Sequence, residues 1–162
     1  MGITNLIWEA FMDNAAYATH KEYTIHKITD ESLIDKPSLT DLVIRLLAPY
    51  DDAPEATLDA VDNAIRHGHA YLAMNAGTPI GVCIVINFRL NGFIPTHHMA
   101  FLGVDKNHRR NGLAKKLFNL ATHDSGGEMS LHVDLDNEAA MAFYEKQGCN
   151  RLYHRYLYGR EH

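Results

Sequence analysis

Hydrophobic residues recur with helical spacing along some segments of this chain and alternate with polar residues along others. The helical spacing, with apolar residues three and four positions apart, predicts helices over residues 4–20, 37–48, 54–67, 111–123 and 137–147. Alternation, or a short apolar run bounded by turn residues, predicts strands over residues 23–28, 70–74, 80–88, 97–104, 129–135 and 149–158. The run over residues 80–88 is apolar on both faces, which is typical of a central strand.

The order of these elements predicts an α/β domain of the mixed α+β type. Consecutive strands joined by short turns pair antiparallel, whereas the strand–helix–strand passage over residues 97–135 requires a right-handed parallel crossover. We therefore expect a mostly antiparallel mixed sheet with one parallel strand pair and with helices on both faces. The chain of 162 residues is long enough for one core, and we predict a helical extension over residues 1–20 and a folded domain over residues 21–162.

Composition and charge narrow the classes of protein to which the chain can belong. The formal net charge of −5 argues against a general nucleic-acid-binding protein. The two cysteines, Cys83 and Cys149, do not make a disulfide framework, so we expect a reducing, cytoplasmic setting. The first residues lack the basic and long apolar regions of a signal peptide. The longest apolar run, residues 79–88, is too short to span a membrane.

A basic turn, Arg109-Arg-Asn-Gly-Leu-Ala114, joins the predicted strand over residues 97–104 to the helix that follows it. The first N–H groups of a helix have no partner within the helix, and the helix dipole makes their surroundings positive. Gly112 allows the backbone to approach a ligand closely. The segment matches neither a P-loop nor a dinucleotide fingerprint. On its own it is explained equally well by a phosphate site and by a basic surface loop.

The strand end and turn over residues 104–114 resemble motif A of the GNAT superfamily of acyl-CoA-dependent N-acetyltransferases. Arg109, Gly112 and Ala114 stand at the fixed points of that motif. Lys106, where proline is common in the superfamily, departs from it.

A second segment resembles motif B of the same superfamily. Asn137-Glu-Ala-Ala140 and Phe143-Tyr-Glu-Lys-Gln-Gly148 supply its pattern, with Cys149 in place of the usual phenylalanine. Two motifs in the right order and at the right separation are far more specific than either alone. The resemblance covers residues 23–158.

The resemblance implies a GNAT-like fold in which acetyl-CoA enters between two parallel strands that a bulge splays apart. It implies that the backbone over residues 102–104 hydrogen-bonds the pantetheine arm and that the N–H groups over residues 110–115 hold the pyrophosphate. Asn137 is implied to contact the pantetheine, and Tyr144 to protonate the departing thiolate. The implied cofactor-binding residues are Leu102, Gly103, Val104, Arg109, Arg110, Asn111, Gly112, Leu113, Ala114, Lys115, Asn137 and Tyr144.

Asn137 and Tyr144 each have a second interpretation. Asparagine is well suited to the N-cap of a helix, so Asn137 fits a cap with or without a cofactor contact. Tyr144 fits a core position of an amphipathic helix. The two residues are seven apart and therefore lie on one helix face, which favours the catalytic interpretation of Tyr144.

The base that deprotonates the amine is less clearly marked. Many members of the superfamily carry a glutamate on the strand before motif A, but here the region reads His97-His-Met-Ala100, without a carboxylate. His98 is the candidate catalytic base, because imidazole titrates near neutral pH, and an ordered chain of water is the alternative. The histidine pairs His67/His69 and His97/His98 have no cysteine or carboxylate ligands at zinc spacing, so we expect no metal.

We interpret the chain as an N-acetyltransferase that moves an acetyl group from acetyl-CoA to a primary amine of a small molecule or a peptide. The amine attacks directly in a ternary complex. A non-catalytic acyl-CoA-binding regulatory module is the alternative, supported by Ala100 where a glutamate would stand. Neither nucleic acid nor a membrane is an expected partner. A homodimer formed through Trp8 and Phe11 of the predicted N-terminal helix is a further hypothesis.

Overall fold

A computed structural model describes residues 23–50, 53–90, 92, 95–152, 156 and 159. The predicted N-terminal helix over residues 4–20 lies outside the described residues. No helix in the described part is long and apolar enough to cross a membrane.

A sheet of five strands forms the centre of the described fold, in the order β1-β2-β3-β4-β5. The first four strands pair antiparallel and β4 pairs with β5 in parallel, which confirms the predicted mixed sheet. The predicted central strand is β3, whose residues 80–85 are all buried. The strands are β1 (Thr24–Ile28), β2 (His69–Asn75), β3 (Thr78–Asn87), β4 (His97–Val104) and β5 (Ser130–Leu131).

Local sequence signals determine where the helices begin and end. Asp35 caps the first helix by accepting the Ser38 N–H, and Pro37 occupies its first turn. Gly68 ends the second helix, and a Cβ at this position would lie 2.0 Å from the Val85 carbonyl oxygen, so only glycine fits. The helices are α1 (Lys36–Leu47), α2 (Pro54–His67), α3 (Leu113–Asp124) and α4 (Glu138–Lys146), with a short 3-10 helix at Lys106–His108.

Two hydrophobic clusters lie on opposite faces of the sheet. In β2, Leu72 belongs to one cluster and its neighbours Tyr71 and Ala73 to the other, because successive side chains of a strand point to opposite faces. Helices α1 and α2 bury their apolar stripes in the first cluster, and α3 and α4 contribute to the second. Helices therefore cover both faces of the sheet, as predicted.

An irregularity in β4 opens the parallel edge of the sheet. Ile84 pairs with Phe101 and Val85 with Met99, so Ala100 is an extra residue that forms a bulge. The pairing of β4 with β5 consists of His98 with Ser130 and Met99 with Leu131. Strand β4 continues to residue 104 beyond this pairing, so the two parallel strands separate at the bulge.

Two predicted strands differ from those observed. The strand predicted over residues 129–135 is only Ser130–Leu131, because residues 134–137 form a turn that the Asn137 N–H closes on the Asp134 carbonyl. The last strand, predicted over residues 149–158, is wrong for residues 149–152, which are irregular. The side chain of Arg151 in that stretch pairs with Glu145 of α4 instead. Residues 153–155, 157 and 158 lie outside the described part.

Candidate functional site

The turn after β4 is anchored to the end of that strand by an arginine. The Nε–H of Arg109 donates to the Val104 carbonyl oxygen at 2.9 Å. The backbone N–H of Asp105 donates to the Ile80 carbonyl on β3 at 2.8 Å. Arg109 therefore fixes the path of the turn, a role that its charge alone does not reveal, and its exposed side chain still adds positive charge there.

The same turn contains two residues with left-handed backbone conformation. Arg110 has φ 65° and Gly112 has φ 84°, both in the left-handed region. Left-handed residues within such a turn direct successive N–H groups toward one point and form an anion-binding concavity. The strained conformation of Arg110, which is not a glycine, is a feature that concentrates at ligand sites. Among the described residues, no atom outside its chain neighbours lies within 4 Å of a Cβ built at Gly112. The glycine is therefore explained by its left-handed φ.

The first turn of α3 supplies further donors. Its first helical hydrogen bond runs from the Lys116 N–H to the Gly112 carbonyl, so the amides before Lys116 precede the helical ladder. Of these, the Leu113 N–H is bonded to Asn111 Oδ1 at 3.2 Å. The amides of Ala114 and Lys115 belong to this turn, and Arg110 and Lys115 are exposed beside it. The Lys116 ammonium lies over the Tyr23 ring instead, 5.1 Å from its centroid.

The strand segment that leads to this turn lies beyond the β4–β5 pairing. Leu102, Gly103 and Val104 pair with β3 on one side, while the described pairing of β5 with β4 covers residues 98 and 99. A Cβ on Gly103 would lie 2.7 Å from the Leu47 Cδ1 and 3.0 Å from the Leu46 Cβ. Close packing of α1 against β4 therefore explains the glycine at position 103.

Helix α4 brings Asn137 and Tyr144 to the site. Asn137 is the N-cap of the helix, and its Oδ1 accepts the Ala140 N–H at 3.1 Å. The hydroxyl of Tyr144 lies 3.8 Å from Met99 Sδ on β4. The Tyr144 ring is half-buried and packs on Phe143, with 5.2 Å between the ring centroids. Burial raises the pKa of Tyr144 above its usual value, so the phenol stays protonated at neutral pH.

His98 lies next to Met99 and, by strand alternation, points to the opposite face of the sheet. It is 7% exposed, and its Nδ1 lies 2.9 Å from Ser130 Oγ. Its ring centroid lies 5.3 Å from that of Phe88 and 4.6 Å from that of His132. The sequence reasoning did not identify Ser130 or His132. The alternation over residues 129–135, which places these side chains on one face, was the available signal.

Most of the predicted residues lie along β4 or in the turn that follows it, whereas Asn137 is placed only by its cap of α4. The basic turn lies at the end of the strand, and the phenol and the imidazole lie at the last residues that pair with β5, on opposite faces. Within the described residues, no group of three or more His, Cys, Asp and Glu side chains is placed to hold a metal ion. The chemistry that this arrangement offers is anion binding, proton donation and proton acceptance.

Comparison with known proteins identifies the family of the chain and agrees with its fold. The model of the Acetyltransferase (GNAT) family matches residues 30–149, so the chain belongs to this family. It is 33% identical over 97 residues to N-alpha-acetyltransferase 30 of Schizosaccharomyces pombe. The alignment covers 56% of this chain and 65% of the relative. It is also 33% identical over 118 residues to N-alpha-acetyltransferase 30 of Saccharomyces cerevisiae. This alignment covers 65% of this chain and 57% of the relative. The chain therefore aligns with less than two thirds of either relative.

Solved structures of acetyltransferases share the fold. Aminoglycoside N-acetyltransferase AAC(6')-Iy in complex with CoA superposes with a TM-score of 0.66 at 16% identity, over 86% of this chain and 95% of that one. Arabidopsis thaliana Naa50 in complex with the bisubstrate analogue CoA-Ac-MVNAL superposes with a TM-score of 0.60 at 21% identity. This superposition covers 78% of this chain and 82% of that one. At these identities, the comparison establishes the fold alone.

Proposed function

We propose that this protein is an N-acetyltransferase that moves the acetyl group of acetyl-CoA to an amine within a ternary complex. The observation that carries the proposal is the separation of β4 from β5 at the Ala100 bulge, with the basic turn at one end and the Tyr144 phenol at the other. Family membership supports the same activity.

The residues at the open edge fit the chemical groups of acetyl-CoA. The pyrophosphate is a dianion, and the left-handed turn at Arg110 and Gly112 offers backbone N–H groups with basic side chains beside them. The pantetheine arm carries amides, and the edge of β4 over residues 102–104 offers backbone partners beyond the β5 pairing. Asn137 caps α4. In this proposal it also lies at the open edge of β4.

Tyr144 acts as the general acid. The amine nitrogen forms a bond to the thioester carbon, the carbon–sulfur bond breaks, and the hydroxyl of Tyr144 gives its proton to the departing thiolate. The position of that hydroxyl beside Met99, in the last residue pair that joins β4 to β5, supports this role. Because burial raises the pKa of Tyr144, the phenol carries its proton at neutral pH and is available as a donor.

His98, with His132 against its ring, accepts the proton that the amine loses. Because His98 and Met99 point to opposite faces of β4, the acid and the base approach the last β4–β5 pair from opposite sides. This arrangement suits direct attack of the amine on the thioester.

The acceptor that we propose is the α-amine at the N-terminus of a peptide. The names of the two relatives at 33% identity, N-alpha-acetyltransferase 30, support this class over a small-molecule amine. Proton chemistry supports it as well. An α-amine titrates near 7.7–8.0 and a lysine side chain near 10.4, so a sizeable fraction of α-amines is already neutral at pH 7. A weak imidazole base is sufficient for such an amine.

The test is a panel of acceptors incubated with acetyl-CoA, with release of the CoA thiol as the readout. The panel contains peptides with an unblocked N-terminus, the same peptides with a blocked N-terminus and one lysine, and an aminoglycoside. We expect thiol release, and an added acetyl group on the α-amine by mass spectrometry, only with the unblocked peptides. Turnover confined to the aminoglycoside would refute the peptide assignment. Tight binding of acetyl-CoA without turnover on any acceptor would favour a regulatory acyl-CoA-binding module.

Three further hypotheses concern the whole chain. We propose that residues 1–20 are an extension outside the catalytic domain, in agreement with a family match that begins at residue 30. Association of two copies through this extension predicts that removal of residues 1–20 lowers the mass seen by sedimentation without a change in activity. A cytoplasmic location stays a prediction from cysteine usage.

A further inference from the structure

The register of the parallel strand pair places a hydroxyl against the buried imidazole. His98 of β4 and Ser130 of β5 are paired residues in the short parallel ladder, and Ser130 Oγ lies 2.9 Å from His98 Nδ1. The distance is that of a hydrogen bond in which either atom can be the donor, depending on the tautomer of the imidazole. The direction of this bond determines which ring nitrogen carries the lone pair.

The surroundings of His98 hold its ring in one orientation. The residue is 7% exposed, and the rings of Phe88 and His132 pack against it. A half-turn of the ring would place a carbon instead of Nδ1 beside Ser130 Oγ and lose this hydrogen bond, which favours the observed orientation. In this orientation Nδ1 faces Ser130 Oγ, and the direction of their hydrogen bond bears on which ring nitrogen of His98 carries the proton.

We propose that Ser130 is a positioning residue, whose Oγ accepts the Nδ1–H of His98 and thereby keeps the lone pair on Nε2. This inference rests on the proposed function, in which His98 accepts a proton from the amine. If Ser130 instead donated its hydroxyl proton to Nδ1, the neutral ring would carry its proton on Nε2 and could not act as a base there. The serine oxygen has two lone pairs, so it accepts this hydrogen equally in the neutral and the protonated ring.

The substitutions that test the proposal are Ser130→Ala, which removes the acceptor, and Ser130→Thr, which keeps a hydroxyl. The first readout is the tautomer of His98, from the ¹⁵N chemical shifts of its ring in the full chain. We expect the Nδ1–H tautomer in the wild type and in Ser130→Thr, and conversion toward Nε2–H in Ser130→Ala. The second readout is kcat/KM with a peptide acceptor, which we expect to fall at least about tenfold in Ser130→Ala only. The dissociation constant of acetyl-CoA stays unchanged.

Ser125→Ala is the matched control. Ser125 is also a buried serine, 8% exposed, and its Oγ has no hydrogen-bond partner among the described residues. We expect this variant to keep both the His98 tautomer and kcat/KM.

The two readouts separate failure of the inference from failure of the proposed function. An Nε2–H tautomer in the wild type, or an unchanged tautomer in Ser130→Ala, overturns the inference whatever the activity. A converted tautomer without any change in kcat/KM supports the positioning of the ring but removes His98 from the reaction. Equal losses of activity in Ser130→Ala and Ser130→Thr, at an unchanged tautomer, also overturn the inference.

Discussion

The hydroxyl of Tyr144 on α4 lies 3.8 Å from the sulfur of Met99 on β4. Met99 pairs with Leu131 in the last residue pair that joins β4 to β5, so this contact places the phenol where the two strands separate. The Phe143 and Phe118 rings pack against the Tyr144 ring and hold it there. A proton donor is thus fixed beside the open edge of the sheet.

Replacement of Tyr144 by phenylalanine removes this proton donor and leaves the ring. We expect kcat to fall by about 100-fold or more, the range of general acid catalysis, with little change in the dissociation constant of acetyl-CoA from calorimetry. The matched control is Tyr71→Phe. Tyr71 is a buried tyrosine of the same hydrophobic cluster, but its hydroxyl donates to Asp124. Its loss should lower thermal stability and leave kcat intact, and unchanged turnover in Tyr144→Phe would remove Tyr144 from the mechanism.

Substitution of Gly112 by valine should weaken binding of acetyl-CoA. A residue with a Cβ resists the φ of 84° at this position, and the N–H groups of the turn then change their arrangement. We expect the dissociation constant to rise by roughly tenfold. Gly77→Val is the control, because Gly77 has φ 80°, no atom lies within 4 Å of its built Cβ, and it belongs to the β2–β3 turn. Equal effects of both variants on binding would contradict the proposed phosphate site.

Substitution of Gly103 by alanine should destabilise the fold by overpacking. The added Cβ would lie 2.7 Å from Leu47 Cδ1, whereas at Gly81 the nearest atom, Leu113 Cδ2, lies at 3.2 Å. We expect a loss of about 1–3 kcal/mol in the free energy of unfolding for Gly103→Ala and a smaller loss for Gly81→Ala, both measured by denaturant titration. The reverse order would show that α1 packs against β4 less closely than the structure indicates.

Stability should fall in acid through Asp124. Burial acts to raise the pKa of this carboxyl, but hydrogen bonds from Lys27, Tyr71 and His123 outweigh it and hold the pKa well below its usual range. A carboxyl with a lowered folded pKa stabilises the fold above its unfolded value, near 3.9, and loses that contribution as the pH falls toward the folded value.

The variant that tests this effect is Asp124→Asn. Its free energy of unfolding should lie below that of the wild type by about 2 kcal/mol at pH 7, and the difference should shrink below about pH 4. Asp41→Asn, at an exposed position of α1, should leave the free energy of unfolding unchanged both at pH 7 and in acid. A difference for Asp124→Asn that stays constant from pH 7 to pH 3 would contradict the assignment.

Local patterns predicted most of the fold. The helices begin and end close to the predicted residues because their signals, such as Pro37 and Gly68, act within one turn of chain. The parallel pair was predictable because a helix separates its two strands, which excludes a hairpin. The shortness of β5 and the irregular path of residues 149–152 were not predictable from the sequence. Both depend on contacts between side chains, such as that of Arg151 with Glu145, which an alternating pattern does not encode.

The turn that would bind the cofactor was more predictable from the sequence than the surroundings of His98. The turn around Gly112 is a contiguous motif, so its chemistry can be derived from neighbouring residues. The contacts of His98 with Ser130 and Phe88 join residues that are distant in sequence, and the register of β3, β4 and β5 creates them. The role of Gly103 against Leu47 likewise requires the packing of α1 on the sheet.

The central claim is that β4 and β5 separate to hold an acyl-CoA from which an amine takes the acetyl group directly. The most direct measurement is single-turnover transfer from radiolabelled acetyl-CoA to a peptide with an unblocked N-terminus, by the wild type and by Tyr144→Phe. The account predicts that label reaches the peptide α-amine in the wild type, that transfer is at least about 100-fold slower in the variant, and that no label stays on the protein. Label that accumulates on the protein before it reaches the peptide, or equal rates in the two proteins, would contradict it.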